Sequence, residues 1–211
     1  MKCIVLLAPP AAGKGTIARY IQDKYNYKQI STGDLLREEA KANEEIRNLM
    51  KAGNFVSDEL VLNLFKKYVS NIKEDIILDG IPRNINQAVE LGLILDDLNI
   101  DFNRVIFIDV DKEVAANRAC NRLICDKCKK VYNKDLVDSK ICISCGGNLI
   151  SREDDTKEVY LNRYNTYMKE TSPLINYYLN KVIKVENNGS LDDLFSNIDK
   201  IFEGDDSNDN N

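Results

Sequence analysis

Nine residues restrict the fold of this chain more than any others. The apolar run Cys3-Ile4-Val5-Leu6-Leu7 stops at Ala8-Pro9-Pro10-Ala11-Ala12-Gly13-Lys14-Gly15-Thr16, and a helical spacing of Ile17, Ala18 and Ile21 begins at once. A continuous apolar run bounded by Pro and Gly reads as a strand buried on both faces of a parallel sheet. A loop that passes from such a strand straight into a helix turns backbone N–H groups and the helix N-terminus toward one point, where phosphate binds. Ala11, Ala12, Gly13, Lys14, Gly15 and Thr16 are therefore the candidate cradle for a nucleotide's phosphates, with Lys14 reaching the outer ones and Thr16 able to ligate magnesium. The competing reading is a plain strand-to-helix turn with a solvated lysine. The strict pattern wants glycine where Ala8 stands, and an alanine held at positive φ costs roughly 1 kcal/mol, a cost that vanishes at negative φ.

Further apolar strands recur at Ile76-Ile77-Leu78, Val105-Ile106-Phe107-Ile108 and Val182 to Val185, with a fourth candidate at Lys28 to Ser31, and helical segments lie between them. That alternation predicts an α/β fold: a doubly wound parallel sheet with helices on both faces and ligands beyond the carboxyl ends of the strands. Residues 31–60 read as a mostly helical insertion, and the aperiodic stretch from Leu123 to about Asp155 as a separately folded one. The Asp, Asn and Ser tail is expected to be disordered. A chain of 211 residues with 44% hydrophobic content suits one core plus a small module. A net charge of -5 gives no attraction to polyanions, so nucleic acid is not an expected partner. No window approaches a membrane span and the opening run is too short for a signal peptide, which points to the cytoplasm. Histidine is absent, so chemistry must rest on carboxylates, lysines, arginines, thiols or backbone.

Cys125-Asp126-Lys127-Cys128 and Cys142-Ile143-Ser144-Cys145 form two Cys-x-x-Cys knuckles separated by residues 129 to 141. In a reducing cytosol these remain thiols, and four at this spacing satisfy tetrahedral zinc. A short polar insertion without a core needs such a staple. Iron, or two redox-active thiol pairs, are the rival readings. Four cysteine ligands close the site, so the metal would hold shape only.

After the strand ending at Leu78 comes Asp79-Gly80-Ile81-Pro82-Arg83, with Gln87 four residues further on. An aspartate at the end of a central strand can hold a magnesium-bound water, and an arginine just beyond it can grip phosphate with two donors. Gln87 offers both a donor and an acceptor, as reading the edge of adenine requires. Taken alone, the same residues also describe a proline turn with a surface arginine.

In these blocks the chain resembles the adenylate kinases over nearly its whole length, up to about Phe202. The family's phosphate loop reads Gly-x-Pro-Gly-x-Gly-Lys-Gly-Thr, and two of its glycines are Ala8 and Ala11 here. Ile30-Ser31-Thr32-Gly33-Asp34-Leu35-Leu36-Arg37 resembles the opening of the AMP segment, which implies that Thr32 meets the adenine side and Arg37 the AMP phosphate. Asn54, Phe55 and Val56 would line the AMP pocket with Gly80, Ile81, Pro82, Arg83 and Gln87, and Arg152 and Arg163 would reach AMP as well. The resemblance implies that Arg118, Arg122, Val131, Tyr132 and Leu191 contact ATP. It further implies that Lys14, Arg83, Arg122, Arg152 and Arg163 hold the transferring phosphates, and that magnesium is bound through water by Thr16 and Asp79. Leu123 stands where many members carry an arginine.

The implied organisation is a core of residues 1–30, 61–121 and 160–203, an AMP-binding segment at 31–60, a zinc lid at 122–159 and a tail at 204–211. The implied activity is reversible phosphoryl transfer from Mg-ATP to AMP, giving two ADP, by a monomer. Two alternatives stay open: a nucleotide-binding sensor with a degenerate phosphate loop, and a nucleoside monophosphate kinase of other base specificity.

Overall fold

The apolar runs pair into one five-stranded sheet in the computed structural model of the protein, which describes residues 1–152 and 154–206. In chain order the first half holds β1 (Lys2–Leu7), α1 (Lys14–Tyr25), β2 (Lys28–Ser31), α2 (Thr32–Glu39), α3 (Glu44–Ala52), α4 (Asp58–Val69), β3 (Ile76–Asp79) and α5 (Ile85–Asp97). The second holds β4 (Asp101–Asp109), α6 (Lys112–Cys120), β5 (Arg122–Cys125), β6 (Val131–Asn133), β7 (Leu149–Ile150), α7 (Lys157–Thr166), α8 (Leu174–Tyr177), β8 (Val182–Glu186) and α9 (Leu191–Asp206). The main sheet runs β2-β3-β1-β4-β8, with every pair parallel. The doubly wound fold read from the sequence is the one observed.

Side chains alternate across β1 as a pleated strand requires. Cys3, Val5 and Leu7 join the core under α2 to α5, where Leu36, Ile46, Phe65 and Leu91 are buried. Ile4 and Leu6 join the opposite core with Ile17 and Ile21 of α1, Ala115 of α6 and Ile198 of α9. Burial on both faces explains why the strands show no polar alternation. Register then gathers the chemistry at one edge: Leu6 and Ser31 both align with Asp79, so the phosphate loop, the start of α2 and the end of β3 meet there.

Among the described residues six α-helices begin with a side-chain cap: Ser31, Asn43, Ser57, Asn84, Thr156 and Ser190 each accept an N–H from the first turn of α2, α3, α4, α5, α7 and α9. Helix α1 starts instead from Gly13 with no side-chain cap, leaving its first N–H groups to the loop.

Helices α2, α3 and the start of α4 fill the insertion between β2 and β3, and α4 runs unbroken through the 60/61 boundary drawn from the sequence. The second insertion is a small antiparallel sheet ordered β6-β5-β7. Its own buried cluster contains only Cys125, Cys142 and Leu149. Helix α9 extends to Asp206, so residues 204–206 of the expected disordered tail continue that helix, and 207–211 lie outside the described residues.

Candidate active site and metal centre

The phosphate loop is built largely from backbone. Gly13 has φ 89°, and a Cβ there would lie 2.8 Å from Asn187 Nδ2, so glycine is required both for the turn and for the close approach. Asn187, just beyond β8, is buried and donates from Nδ2 to the Ala12 carbonyl at 2.8 Å, while its own N–H reaches Asp109 O at 2.8 Å. Arg118 donates to the Asn187 carbonyl at 2.9 Å. Nothing in the sequence singles out Asn187, because its partner is 175 positions away. Of the two alanines that replace family glycines, only Ala11 is left-handed, at φ 60°; among the described residues Ala8 is not a positive-φ position. The strain foreseen for alanine therefore falls on Ala11.

Lys14 turns back to the Ala8 carbonyl at 3.4 Å. Burial lowers its pKa, Asp79 opposes the shift, and Arg83 and Arg122 add to it. The Arg83 pKa is likewise lowered by burial, with Asp79 again opposing. Asp79 itself accepts from Gln29 Nε2 at 3.1 Å. Arg83 is anchored by Nε to Gly80 O at 2.9 Å, and its guanidinium lies 5.2 Å from the Phe55 ring centre. Arg152 is pushed down to about 10, first by burial and then by Arg37 and Arg122. Lys14, Arg37, Arg83, Arg122 and Arg152 thus act on one another electrostatically although they come from five separate stretches of chain.

Arg122, Arg163 and Arg37 also have acidic partners. Arg122 forks onto Asp155, with Nε to Oδ2 at 2.8 Å and Nη2 to Oδ1. Arg163 pairs with Asp154 through Nη2 and also reaches Met50 O at 3.4 Å. Arg37 pairs with Asp34 at 2.5 Å.

Several residues expected to face a ligand are covered. Ile81 and Val56 lie in the core, and Thr32 donates from Oγ1 to the Asp79 carbonyl at 3.3 Å. Gln87 is 1% exposed. Its Nε2 donates to Asp58 Oδ1 at 2.6 Å and its Oε1 accepts the Arg83 N–H at 2.7 Å. Asn54 Oδ1 accepts from Asn162 Nδ2 at 3.2 Å. Tyr132 points into the metal centre, its hydroxyl 3.1 Å from Cys142 Sγ, while Val131 and Leu191 are exposed. Asp58 and Asn187 are polar anchors that sequence reasoning missed.

The sulfur atoms of Cys125, Cys128, Cys142 and Cys145 lie within 4.8 Å of one another, with Cys125 to Cys145 at 3.4 Å and Cys128 to Cys142 at 3.6 Å, and all four are free thiols. A tetrahedral ion with Zn–S bonds of about 2.3 Å has S···S edges of roughly 3.8 Å, so the cluster is compatible with a four-thiolate zinc site. A Cβ on Gly147 would stand 2.7 Å from Cys125 Sγ, so only glycine fits against the cluster. The Tyr132 hydroxyl is the first cause lowering the Cys142 thiol to about 6, which favours the thiolate a metal needs.

A parallel sheet carrying a strand–loop–helix phosphate cradle, with lysine and arginines converging beyond its carboxyl edge, defines a P-loop phosphotransferase. The adenylate kinase family profile matches residues 6–183. An adenylate kinase from Fervidobacterium nodosum is 38% identical over 95% of this chain and 97% of its own. Those from Thermosipho africanus and Listeria innocua are 40% identical, over 90% and 94% of this chain and 92% and 98% of theirs. The chain belongs to the adenylate kinase family. No helix among the described residues is long and apolar enough to cross a membrane.

Proposed function

We propose that the chain transfers the terminal phosphoryl group of Mg-ATP reversibly to AMP, giving two ADP, as a cytoplasmic monomer serving adenine-nucleotide balance. The observation that carries the reading is the set of half-buried cations gathered at the end of β3 and the phosphate loop. Lys14, Arg83 and Arg152 all have pKa values lowered first by burial, and such strain is tolerated where a polyanion is to be bound.

The acceptor phosphate is already ionised, so no general base is needed and the missing histidine is no obstacle. Lys14, Arg83, Arg122, Arg152 and Arg163 would neutralise the transferring group and align donor with acceptor. Asp154 and Asp155 would keep Arg163 and Arg122 extended until phosphate competes for them. Residues 11–16 would cradle the ATP phosphates, with Arg118, Val131, Tyr132 and Leu191 nearer its base. Arg37, Asn54, Phe55, Val56 and residues 80–83 would surround AMP, with Thr32 and Gln87 on its adenine side. Gln87 is covered in this structure, so movement of residues 31–57, with Asp58 left in contact, would have to uncover its amide. Magnesium, approached by Thr16 and through water by Asp79, supplies charge neutralisation between phosphates. Zinc in the four-cysteine site would stiffen the 122–159 lid, whose closure together with the AMP segment excludes water.

ADP formation from ATP, AMP and magnesium by the purified protein tests the proposal, with CMP, UMP and GMP as comparison acceptors. Equal use of another monophosphate would indicate a different base specificity. ATP binding without ADP formation would favour the sensor reading, which the strained Ala11 motivates.

A further inference from the structure

We infer that Asp58 determines base specificity by fixing which way round the Gln87 amide lies, so that a 6-aminopurine is accepted and a 6-oxopurine refused. The inference rests on the reading above that Gln87 meets the base of the acceptor nucleotide.

A glutamine amide is nearly symmetrical in shape and opposite in polarity at its two ends. Adenine presents a 6-amino donor beside the N1 acceptor, whereas guanine or hypoxanthine presents an O6 acceptor beside an N1–H donor. With the nucleotide held by ribose and phosphate, one orientation of the amide complements adenine and the reverse orientation complements the 6-oxo bases. An amide free to turn over would discriminate little between them.

Here the amide is not free. Nε2 donates to Asp58 Oδ1 at 2.6 Å, and Oε1 accepts the Arg83 N–H at 2.7 Å. Reversal would set Oε1 against a carboxylate that only accepts, and the NH2 group against an N–H that only donates. At 1% exposure, water has little room to soften either mismatch. Asp58 is itself oriented: Asn84 Nδ2 donates to its two oxygens at 3.0 and 3.1 Å, and Asn86 Nδ2 to Oδ2 at 3.3 Å. Asn84 also caps α5 through the Gln87 N–H at 2.8 Å, so one asparagine sets both partners. Asp58 lies in the first turn of α4, so its place beside Gln87 is set by that helix. The arrangement leaves one amide hydrogen and one Oε1 lone pair for a base, with their polarity set beforehand.

The test compares kcat/KM for AMP and for IMP in the wild type, Asp58→Asn, Asp58→Glu and Gln87→Met. Asp58→Asn keeps the shape but can donate to Oε1, which removes the carboxylate's opposition to the reversed amide and leaves only that of the Arg83 N–H. The AMP-to-IMP ratio is expected to fall severalfold, with KM for AMP raised, KM for ATP within twofold of wild type and the melting temperature near it. Asp58→Glu keeps an acceptor-only group and is expected to retain most of the preference. Where Asp58→Asn is too unstable to assay, Asp58→Ser, which can also donate to Oε1, carries the same expectation. An unchanged ratio in Asp58→Asn alongside a collapsed one in Gln87→Met overturns the role of Asp58 alone, as does an equal fall in Asp58→Glu. A Gln87→Met enzyme that still prefers AMP overturns the reading of Gln87, and the role of Asp58 falls with it.

Discussion

Arg19 of α1 donates from Nη1 to the carbonyl of Cys128 at 3.0 Å, joining the helix behind the phosphate loop to the first metal knuckle across 109 positions of sequence. The direction of that carbonyl is set by the knuckle turn, in which Lys129 has φ 60° and its N–H bonds Cys125 O at 3.1 Å. Removing the guanidinium should favour the open lid. Arg19→Ala is expected to raise KM for ATP by about 3–10-fold, the range of an ordinary net hydrogen bond, and KM for AMP by less than twofold. Amide hydrogen exchange over residues 126–140 should quicken in the same variant. Wild-type exchange there would show that the contact does not hold the lid.

Lys14 and Arg83 are predicted to matter for rate and little for stability. Both are charged groups whose burial lowers the pKa, so the fold gains nothing from ionising them. Lys14→Met should lower kcat by roughly two to three orders of magnitude, the usual loss on removing an electrostatic stabiliser of a transition state. Its melting temperature should equal or exceed that of the wild type. Steady-state kinetics beside calorimetry checks this, and near-native turnover would refute the assigned role.

Metal removal should act on the lid first. Among the described residues, the buried cluster of the module formed by β5, β6 and β7 is Cys125, Cys142 and Leu149, too little to order it unaided. Cys142→Ser, or stripping with a strong chelator, is expected to abolish lid protection from proteolysis and raise KM for ATP while the main sheet stays folded. Elemental analysis of protein purified without chelator should give one zinc per chain.

Ala11→Gly should relieve left-handed strain. The conformation costs a non-glycine residue about 1–2 kcal/mol, and the extra freedom of glycine in the unfolded chain returns about 0.5–1 of it. A net gain of roughly 0.5 kcal/mol is expected in chemical denaturation, with no rise in KM for ATP. A loss of stability would show that Ala11 is not strained.

Buried tyrosines predict alkaline lability. Burial is the first cause raising Tyr25 and Tyr160 to about 12. Folded tyrosines therefore keep protons that unfolded ones release near pH 10, so this contribution is whole below pH 10 and is lost as pH rises toward 12. Denaturation midpoints measured between pH 9 and 12 should fall across that window, more gently in Tyr25→Phe.

Much of this was legible in the sequence because it depends on neighbours in the chain. Unbroken apolar runs required strands buried on both faces, Gly13-Lys14-Gly15-Thr16 pointed to a helix opening from a phosphate-type loop, and paired Cys-x-x-Cys spacings pointed to one cluster of thiols. The parallel sheet, the phosphate loop and the sulfur cluster follow from them. Other features are invisible in one dimension. Asn187 against Ala12, Asp58 against Gln87 and Arg19 against Cys128 join residues 175, 29 and 109 positions apart. Polar side chains of these types are ordinary on any surface, and only the folded chain decides which of them meet. Backbone angle is hidden in the same way, since Ala8 and Ala11 look equivalent as letters and only the closed loop shows which one is left-handed. Sequence by itself determined the elements and their chemistry, through local propensity and spacing. Tertiary structure decided the orientation of each functional group, because orientation is set by partners the chain brings together only on folding.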